Sequence, residues 1–247
     1  MTTTDNFQLS TKERNFLKVL ILAIESSAKP VSVAVYDDEK GMLLGQYFQN
    51  NGFSHSRTLL VLVESLLKNL DIKLADIGLI AVAYGPGSFT GVRIGVSAVK
   101  GMAWGADIPV CGVSTLEAMA HQVFASQNNH VLICPVMDAR RNQVYNALFK
   151  QCNGSLQRLC EDRAISIEDL AEELKKHDTP CLLVGDGITV CIESGLIPKI
   201  MTPQELIKYQ TAYGVALAAL NKKPGSAIDL EPVYLRPSQA EREKAEN

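Results

Sequence analysis

The sequence lacks several features that would assign a class of protein at once. Only 6% of its 247 residues are aromatic, and there is a single tryptophan. The sequence contains no run of about 20 apolar residues, the length that a membrane-spanning helix needs. The first residues lack the basic start and apolar run of a secretory signal. None of the six cysteines are spaced as CxxC, which leaves out the usual zinc and thioredoxin motifs. We therefore expect a cytoplasmic protein with free, reduced cysteines.

An excess of either charge is also missing. The chain has 24 Lys and Arg against 27 Asp and Glu, a formal net charge of −3, and an isoelectric point near 5.8. This balance argues against a broad basic face that binds nucleic acid without help. A nucleic-acid role shared with a basic partner stays open. Hydrophobic residues make up 47% and charged residues 21%, which is typical of a globular chain with a mostly aliphatic core.

The four histidines form no metal-binding motif. HExxH and HxxxH are both absent, and no pair has the spacing of metal ligands on a helix. We therefore predict no metal site, and no catalytic residue is assigned. A Ser-His-Asp triad around His55 stays open, since triads assemble from distant residues. Without a GxSxG elbow, however, helix capping by Ser54 or Ser56 is the favoured role of this segment.

Apolar periodicity predicts the same order of elements twice, three strands followed by helix, strand and helix. Two such units in tandem predict an α/β chain of two ribonuclease-H-like lobes facing a cleft, the plan of the actin-like ATPase superfamily (ASKHA). Strands are expected at residues 17–24, 31–35, 42–48, 78–83, 109–113, 131–137, 142–149, 156–160 and 181–184, and helices at 56–70, 91–105, 166–176 and 202–220, with one more after Ser114.

These elements divide the chain into four parts. A polar leader is expected over residues 1–16 and an N-terminal lobe with dimerisation helices over 17–113. A C-terminal lobe is expected over 114–236, and a frayed tail over 237–247.

A glycine-rich loop lies between the predicted strand at 78–83 and the next helix. Its glycines permit close backbone approach, and the free N–H groups of the helix start can hold an anion. The loop lacks the Lys-Ser or Lys-Thr of a P-loop, and its spacing differs from the dinucleotide fingerprint. A tight turn capped by Ser88 or Thr90 is the alternative, slightly favoured by local chemistry. The candidate loop residues are Gly85, Gly87, Ser88, Thr90, Gly91 and Arg93.

Acidic residues end the first strand of each predicted lobe. In a two-lobed architecture these positions face the cleft, where a carboxylate could hold a metal-bound nucleotide. A carboxylate that merely occupies a turn explains the pattern equally well. The residues assigned to this vestigial nucleotide cleft are Glu25, Ser26, Asp138, Gly185 and Gly187.

The first two helices of the N-terminal lobe are apolar around most of their circumference. One face of each must cover the sheet, and the second face is predicted to bind a protein partner. The alternative is that both helices are buried between the lobes. The residues assigned to the partner interface are Leu59, Leu62, Val63, Leu66, Leu67, Val92, Val96, Val99 and Met102.

An ordered set of short motifs resembles one family. From residue 17 to 236 the chain is similar to the TsaB (YeaZ) family of bacterial tRNA threonylcarbamoyladenosine synthesis. The loop at 85–95 is the most specific of these motifs. The set reads, in order, Ile24-Glu25-Ser26-Ser27, His55-Ser56-Arg57, the loop GPGSFTGVRIG, Gly112-Val113-Ser114-Thr115-Leu116, Met137-Asp138-Ala139-Arg140 and Pro232-Val233-Tyr234-Leu235-Arg236.

The resemblance implies a required, non-catalytic subunit of a threonylcarbamoyl transferase complex. That complex forms N6-threonylcarbamoyladenosine at position 37 of tRNAs reading codons that begin with A. The resemblance also implies pairing with the catalytic paralogue TsaD through the first two helices, and a homodimer through the same surface when TsaD is absent. TsaE, an ATPase, joins the complex, and tRNA is reached through the complex. The sequence assigns no cofactor to this chain, and binding of ATP or ADP at the complex interface is left open.

The first turn departs from the family pattern. Glu25 stands where the family usually carries Asp, and the turn lacks a glycine for close approach of phosphates. The stiff Lys29-Pro30 pair should crowd a triphosphate, so we expect no independent ATP hydrolysis. The competing hypothesis is an ATP-dependent phosphotransferase of the actin and sugar-kinase superfamily that uses the cleft and needs Asp138. The roles of the leader and of Pro232–Arg236, the complex stoichiometry and direct tRNA contact are left open.

Overall fold

The computed structural model describes residues 19–52, 54–124, 131–152, 154–197 and 200–236. The expected leader and tail lie outside these residues. None of the helices within the described ranges is both long and apolar enough to cross a membrane.

The N-terminal lobe is built on a five-stranded sheet. Its elements are β1 Leu20–Glu25, β2 Val31–Asp37, β3 Met42–Gln49, α1 His55–Asn69, β4 Ile77–Gly85, α2 Phe89–Ala106, β5 Val110–Ser114 and α3 Thr115–Phe124. A short 3-10 helix, Leu74–Asp76, precedes β4. The strands lie in the order β3-β2-β1-β4-β5: the first three form an antiparallel meander, and β4 and β5 run parallel to β1.

The C-terminal lobe repeats this plan with two interrupted strands. Its elements are β6 Leu132–Arg140, β7 Gln143–Asn146, β8 Phe149–Cys152, β9 Ser155–Arg158, β10 Arg163–Ser166, α4 Ile167–Leu174, β11 Cys181–Val184, α5 Ile188–Ser194, β12 Ile200–Met201 and α6 Ala212–Ala219. β7 and β8 both pair antiparallel with β6, so they share the place beside it that β2 has beside β1. β10 pairs with the outer edge of β7, and β9 with that of β8. β11 and β12 run parallel to β6. The predicted α/β fold of two ribonuclease-H-like lobes is confirmed.

The prediction of one helix over residues 202–220 is wrong. A single 3-10 turn at Glu205–Ile207 is followed by a separate cap at Thr211, whose hydroxyl accepts the Gly214 N–H at 3.4 Å. The chain stays irregular between them because the carbonyl oxygen of Lys208 accepts the Gly185 N–H at 2.7 Å. The helix therefore begins at Ala212.

The helices α3 and α6 form the layer between the two sheets. Leu116 and Met119 of α3 pack on the C-terminal sheet. Ala212 and Val215 of α6 pack on the N-terminal sheet, although we had assigned residues 114–236 to the C-terminal lobe. α6 (AYGVALAA) consists mostly of small side chains, so it fits into the narrow space between α3 and the first sheet. The boundary predicted between the lobes is therefore wrong for this helix.

The last described residues, 225–236, form a strap that crosses from one lobe to the other. It begins at a bridge between Gly225 and Val110 on the N-terminal sheet. The Val233 N–H then donates to the Tyr84 carbonyl at 2.7 Å. At its end, Nη1 of Arg236 donates to the carbonyl oxygen of Ala139 in the C-terminal lobe at 2.8 Å. The strap was also assigned to the C-terminal lobe, but most of these contacts are made with the N-terminal lobe.

Candidate functional site

A cleft of about 670 Å³ separates the lobes. Its walls come from six places: the β1–β2 turn, the segment that leads into α1, the glycine-rich loop, the β6–β7 hairpin, the loop after β11 and the strap. Among the residues lining it are Lys29, Ser88, Asp138, Asp186 and Tyr234.

The glycine-rich loop packs against the β1–β2 turn. The Ser88 N–H donates to the Ser27 carbonyl oxygen at 2.6 Å. A Cβ atom on Gly87 would lie 2.3 Å from that oxygen, and one on Gly91 would lie 2.2 Å from the Ser26 oxygen. The carbonyl oxygens of the β1–β2 turn therefore fill the side-chain positions of these two glycines. This close packing favours the alternative tight turn, in which Ser88 caps α2 by accepting the Gly91 N–H at 3.3 Å. Gly87, Ser88 and Thr90 also line the cleft, so the anion site stays a prediction.

The remaining loop residues hold the strap or face solvent. Gly85 has φ +123°, and an added Cβ would lie 2.3 Å from the Val233 carbonyl oxygen. The Arg93 guanidinium lies 3.9 Å from the centroid of the Phe89 ring, and its Nε donates to the Tyr234 hydroxyl at 2.8 Å. Arg93 therefore anchors the strap and does not line the cleft. Thr90 is exposed at the cleft rim.

The first turn places its acidic residue beneath the cleft. Glu25 and Ser26 are fully buried, and neither lines the cavity, contrary to their assignment. Glu25 Oε1 accepts the Ser27 N–H at 2.6 Å, while Ser26 Oγ donates to the Gly91 carbonyl oxygen at 2.9 Å. Burial raises the pKa of Glu25 to about 7, and the like charge of Asp186 adds to the rise.

The second lobe supplies the acids that do line the cleft. Asp138 is exposed, and its Oδ1 accepts the Arg140 N–H at 2.7 Å. Asp186 lines the cavity more deeply; burial raises its pKa, and the Asp138 charge contributes. Sequence reasoning missed Asp186, although the Gly-Asp-Gly sequence after β11 marked its position.

The glycines beside Asp186 are packing residues and not ligand contacts, contrary to their assignment. A Cβ on Gly185, whose φ is +116°, would lie 2.2 Å from the Val136 carbonyl oxygen. The Gly187 N–H donates to the same oxygen at 3.1 Å. Both residues therefore hold the Asp186 loop against β6.

No group of three or more His, Cys, Asp or Glu side chains within the described ranges is arranged to hold a metal ion. His55 has a structural contact: its Nε2 lies 2.8 Å from the Ala28 carbonyl oxygen and 3.2 Å from that of Pro30. Because both partners are acceptors, Nε2 carries the proton and donates. His55 thus ties the start of α1 to the β1–β2 turn.

The outward faces of α1 and α2 differ from the predicted interface. Seven of the nine assigned side chains lie in the core against the first sheet, and only Leu62 and Met102 are half-buried. Each helix turns its most regular apolar stripe toward the sheet. The buried seven are Leu59, Val63, Leu66, Leu67, Val92, Val96 and Val99.

The exposed apolar side chains of the two helices are neighbours of the predicted ones. Leu60 is 53% exposed, Val61 58% and Trp104 78%. Together with the half-buried Leu62 and Met102 they form what we call the outer helix face. An apolar surface of this kind on a helix is typical of a contact with another protein.

Fold and cleft together define a two-lobed, actin-like protein whose glycine-rich loop is packed against the first turn of the same lobe. Residues 51–219 match the family model described as "TsaD: tRNA N6-adenosine threonylcarbamoyltransferase". The chain is 33% identical over 228 residues to the tRNA threonylcarbamoyladenosine biosynthesis protein TsaB of Bacillus subtilis, covering 90% of this chain and 96% of that protein. It is 32% identical to TsaB of Escherichia coli, covering 87% and 94%.

The solved structure of YeaZ from Pseudomonas aeruginosa superposes with a TM-score of 0.73 at 25% identity, covering 88% of this chain and 100% of that one. The chain belongs to the TsaB (YeaZ) family of tRNA threonylcarbamoyladenosine biosynthesis proteins. The family resemblance read from the motifs is thereby confirmed.

Proposed function

We propose that this chain is a non-catalytic subunit that pairs with TsaD in the cytoplasm. The complex forms N6-threonylcarbamoyladenosine at position 37 of tRNAs reading codons that begin with A, and TsaE is its third protein. The observation that carries the proposal is the match to TsaB proteins over nearly their whole length. The chain reaches tRNA through its partners, in keeping with its net charge of −3.

The outer helix face is the proposed contact with TsaD. The TsaD family model covers α1 and α2 of this chain, so a TsaD partner carries the corresponding pair of helices. Two related surfaces of this kind can pack against each other with approximate two-fold symmetry. The same reasoning supports a homodimer when TsaD is absent. Homodimer and heterodimer then compete for one face.

The packing of the glycine-rich loop and the relatives both support a non-catalytic role. The backbone oxygens of Ser26 and Ser27 fill the side-chain positions of Gly91 and Gly87, so the loop is used to pack the N-terminal lobe. A phosphotransferase, the second candidate, is not favoured, because the matching relatives are TsaB biosynthesis proteins. ATP or ADP is proposed to bind only at the interface of the assembled complex. Equilibrium dialysis with radiolabelled ATP tests this directly: retention by the isolated chain would contradict it, and retention by the complex alone would support it.

Pairing is tested by co-purification of tagged TsaD with variants of this chain. Val61→Asp, combined with Leu60→Asp, should abolish co-purification while leaving the circular dichroism spectrum unchanged. The matched control is Ile192→Asp, because Ile192 is a similarly exposed apolar side chain on α5 of the other lobe. Normal pairing by the α1 variant would show that the contact lies elsewhere.

Function is tested by threonylcarbamoyl transfer to unmodified tRNA. The reaction contains TsaD, TsaE, ATP and the activated threonylcarbamoyl donor, with or without this chain. Modification should require the chain, and the chain alone should give none. Equal modification without it would contradict the proposed function.

A further inference from the structure

The middle of the strap is fixed to one side of α2. Nζ of Lys100 donates to the carbonyl oxygens of Ile228 and Leu230 at 3.1 and 3.0 Å. Nearer the end of the strap, the Tyr234 hydroxyl accepts from Nε of Arg93 at 2.8 Å. Lys100 and Arg93 lie about two helical turns apart on the same side of α2. The strap is therefore part of the N-terminal lobe up to Tyr234.

The end of the strap crosses the mouth of the cleft. Nη1 of Arg236 donates to the carbonyl oxygen of Ala139 in the β6–β7 hairpin at 2.8 Å, and both residues line the cleft. Only Leu235 separates Arg236 from Tyr234, so the backbone adds little slack between the two anchors. A movement of the hairpin away from the N-terminal lobe is therefore opposed by both contacts.

The hairpin that Arg236 holds has an unfavourable backbone conformation. Arg140, Arg141 and Asn142 have φ angles of +62°, +56° and +59°. Residues with a Cβ atom adopt this left-handed region at a cost, and they stay in it only where surrounding contacts fix them. Within the C-terminal lobe, the Asn142 carbonyl oxygen accepts the Ile167 N–H at 3.1 Å. The Arg236 bond adds a contact from the other side of the cleft, so its loss lets the hairpin relax.

We propose that the strap is a latch between the lobes, in which α2 holds its middle and Arg236 holds the β6–β7 hairpin against the mouth of the cleft. When Arg236 lets go, the hairpin relaxes away from α2 and the mouth opens. The motif Pro232–Arg236 then has a role, because it supplies both ends of the latch, Tyr234 toward α2 and Arg236 toward the hairpin. The latch belongs to the isolated chain and does not depend on pairing with TsaD.

Hydrogen–deuterium exchange of the full chain, followed by mass spectrometry, tests the latch. Arg236→Ala should speed exchange about tenfold or more in two peptides on opposite walls of the cleft, the β6–β7 hairpin and the β1–β2 turn. In the turn, the buried Ser27 N–H donates to Glu25 Oε1, so its exchange reports the entry of water into the cleft. Arg57→Ala, at an exposed arginine of α1, is the matched control and should exchange like the wild type.

The pattern of exchange decides the outcome. Faster exchange in both peptides would support the latch. Faster exchange of the hairpin alone would overturn it, because the Arg236 bond would then stabilise only its own acceptor. Unchanged exchange in both peptides would overturn it as well. Rates are compared with those of the buried strand β1, where exchange reports unfolding of the whole chain.

A second variant releases the other end of the strap. The Tyr234 ring stacks on Phe89, and its hydroxyl accepts from Arg93, both on α2. If the strap joins the lobes, Tyr234→Ala should also speed exchange of the distant hairpin. Because the two anchors act in series, the double variant with Arg236→Ala should exchange no faster than Arg236→Ala alone. A fully protected hairpin in Tyr234→Ala, or a further increase in the double variant, would show that the strap does not connect the lobes.

Discussion

Ser26 and Gly91 join the first turn to the start of α2 across 65 residues of sequence. Ser26 Oγ donates to the Gly91 carbonyl oxygen at 2.9 Å. In return, the Ser26 carbonyl oxygen occupies the place of a Gly91 side chain, because a Cβ there would lie 2.2 Å away. Glycine at this position is therefore a packing requirement of the N-terminal lobe.

Gly91→Ala should destabilise the protein by about 2 kcal/mol or more, because backbone must move to admit a methyl group. Gly101→Ala, ten residues further along α2, is the control: nothing lies within 4 Å of its Cβ position. Alanine there should stabilise the helix by up to about 1 kcal/mol. Urea unfolding measures both. Similar changes in the two variants would contradict the packing described for Gly91.

The two faces of α1 are distinguished by a pair of matched valines. Val63 is 5% exposed and Val61 58%. Val63→Ala should lower the free energy of unfolding by about 2 kcal/mol, since it removes core contacts. Val61→Ala should change it by less than about 0.5 kcal/mol but weaken binding to TsaD. Urea unfolding should detect the loss of stability in Val63→Ala, and co-purification should detect the loss of TsaD binding in Val61→Ala.

The strap should be held by the Tyr234 side chain. Its ring stacks on Phe89 with centroids 4.2 Å apart, and its hydroxyl accepts from Arg93. Tyr234→Ala should cost about 1–2 kcal/mol of unfolding free energy. Ile228→Ala, at a side chain of the strap that is 70% exposed, should cost little. The double variant with Arg93→Ala should be non-additive in urea unfolding, and strict additivity would argue against the contact.

Stability should fall as the pH rises because of Glu25. Its pKa is about 7 in the folded state against 4.5 in the unfolded chain, so the folded state binds the proton more tightly. The resulting stabilisation is present below pH 4.5 and is lost as the pH rises to about 7, by ~3 kcal/mol.

Urea unfolding between pH 5 and 8 tests this titration. Glu25→Gln should remove this part of the pH dependence, whereas Glu64→Gln, an exposed acid on α1, should retain it. If the unfolding free energy of Glu25→Gln depends on pH as strongly as that of the wild type, another group is responsible for the titration.

Local sequence predicted much of the fold. The periodicity of α1 and α2 placed both helices within about two residues of their ends, as expected for long, strongly patterned segments. Ser166 and its following acids marked the start of α4 correctly. The motifs also identified the family. These features depend on neighbouring residues, which is why the sequence alone determines them.

Tertiary structure decided the rest, because it depends on groups far apart in the chain. An all-round apolar helix does not say which face meets the sheet, so Val99 was assigned to the interface although it lies in the core. A glycine-rich loop does not say which distant backbone its glycines pack against; here the Ser26 and Ser27 carbonyl oxygens lie where side chains at Gly91 and Gly87 would stand. Asp186 became a cleft residue only when packing against β6 and Gln210 brought it opposite Glu25.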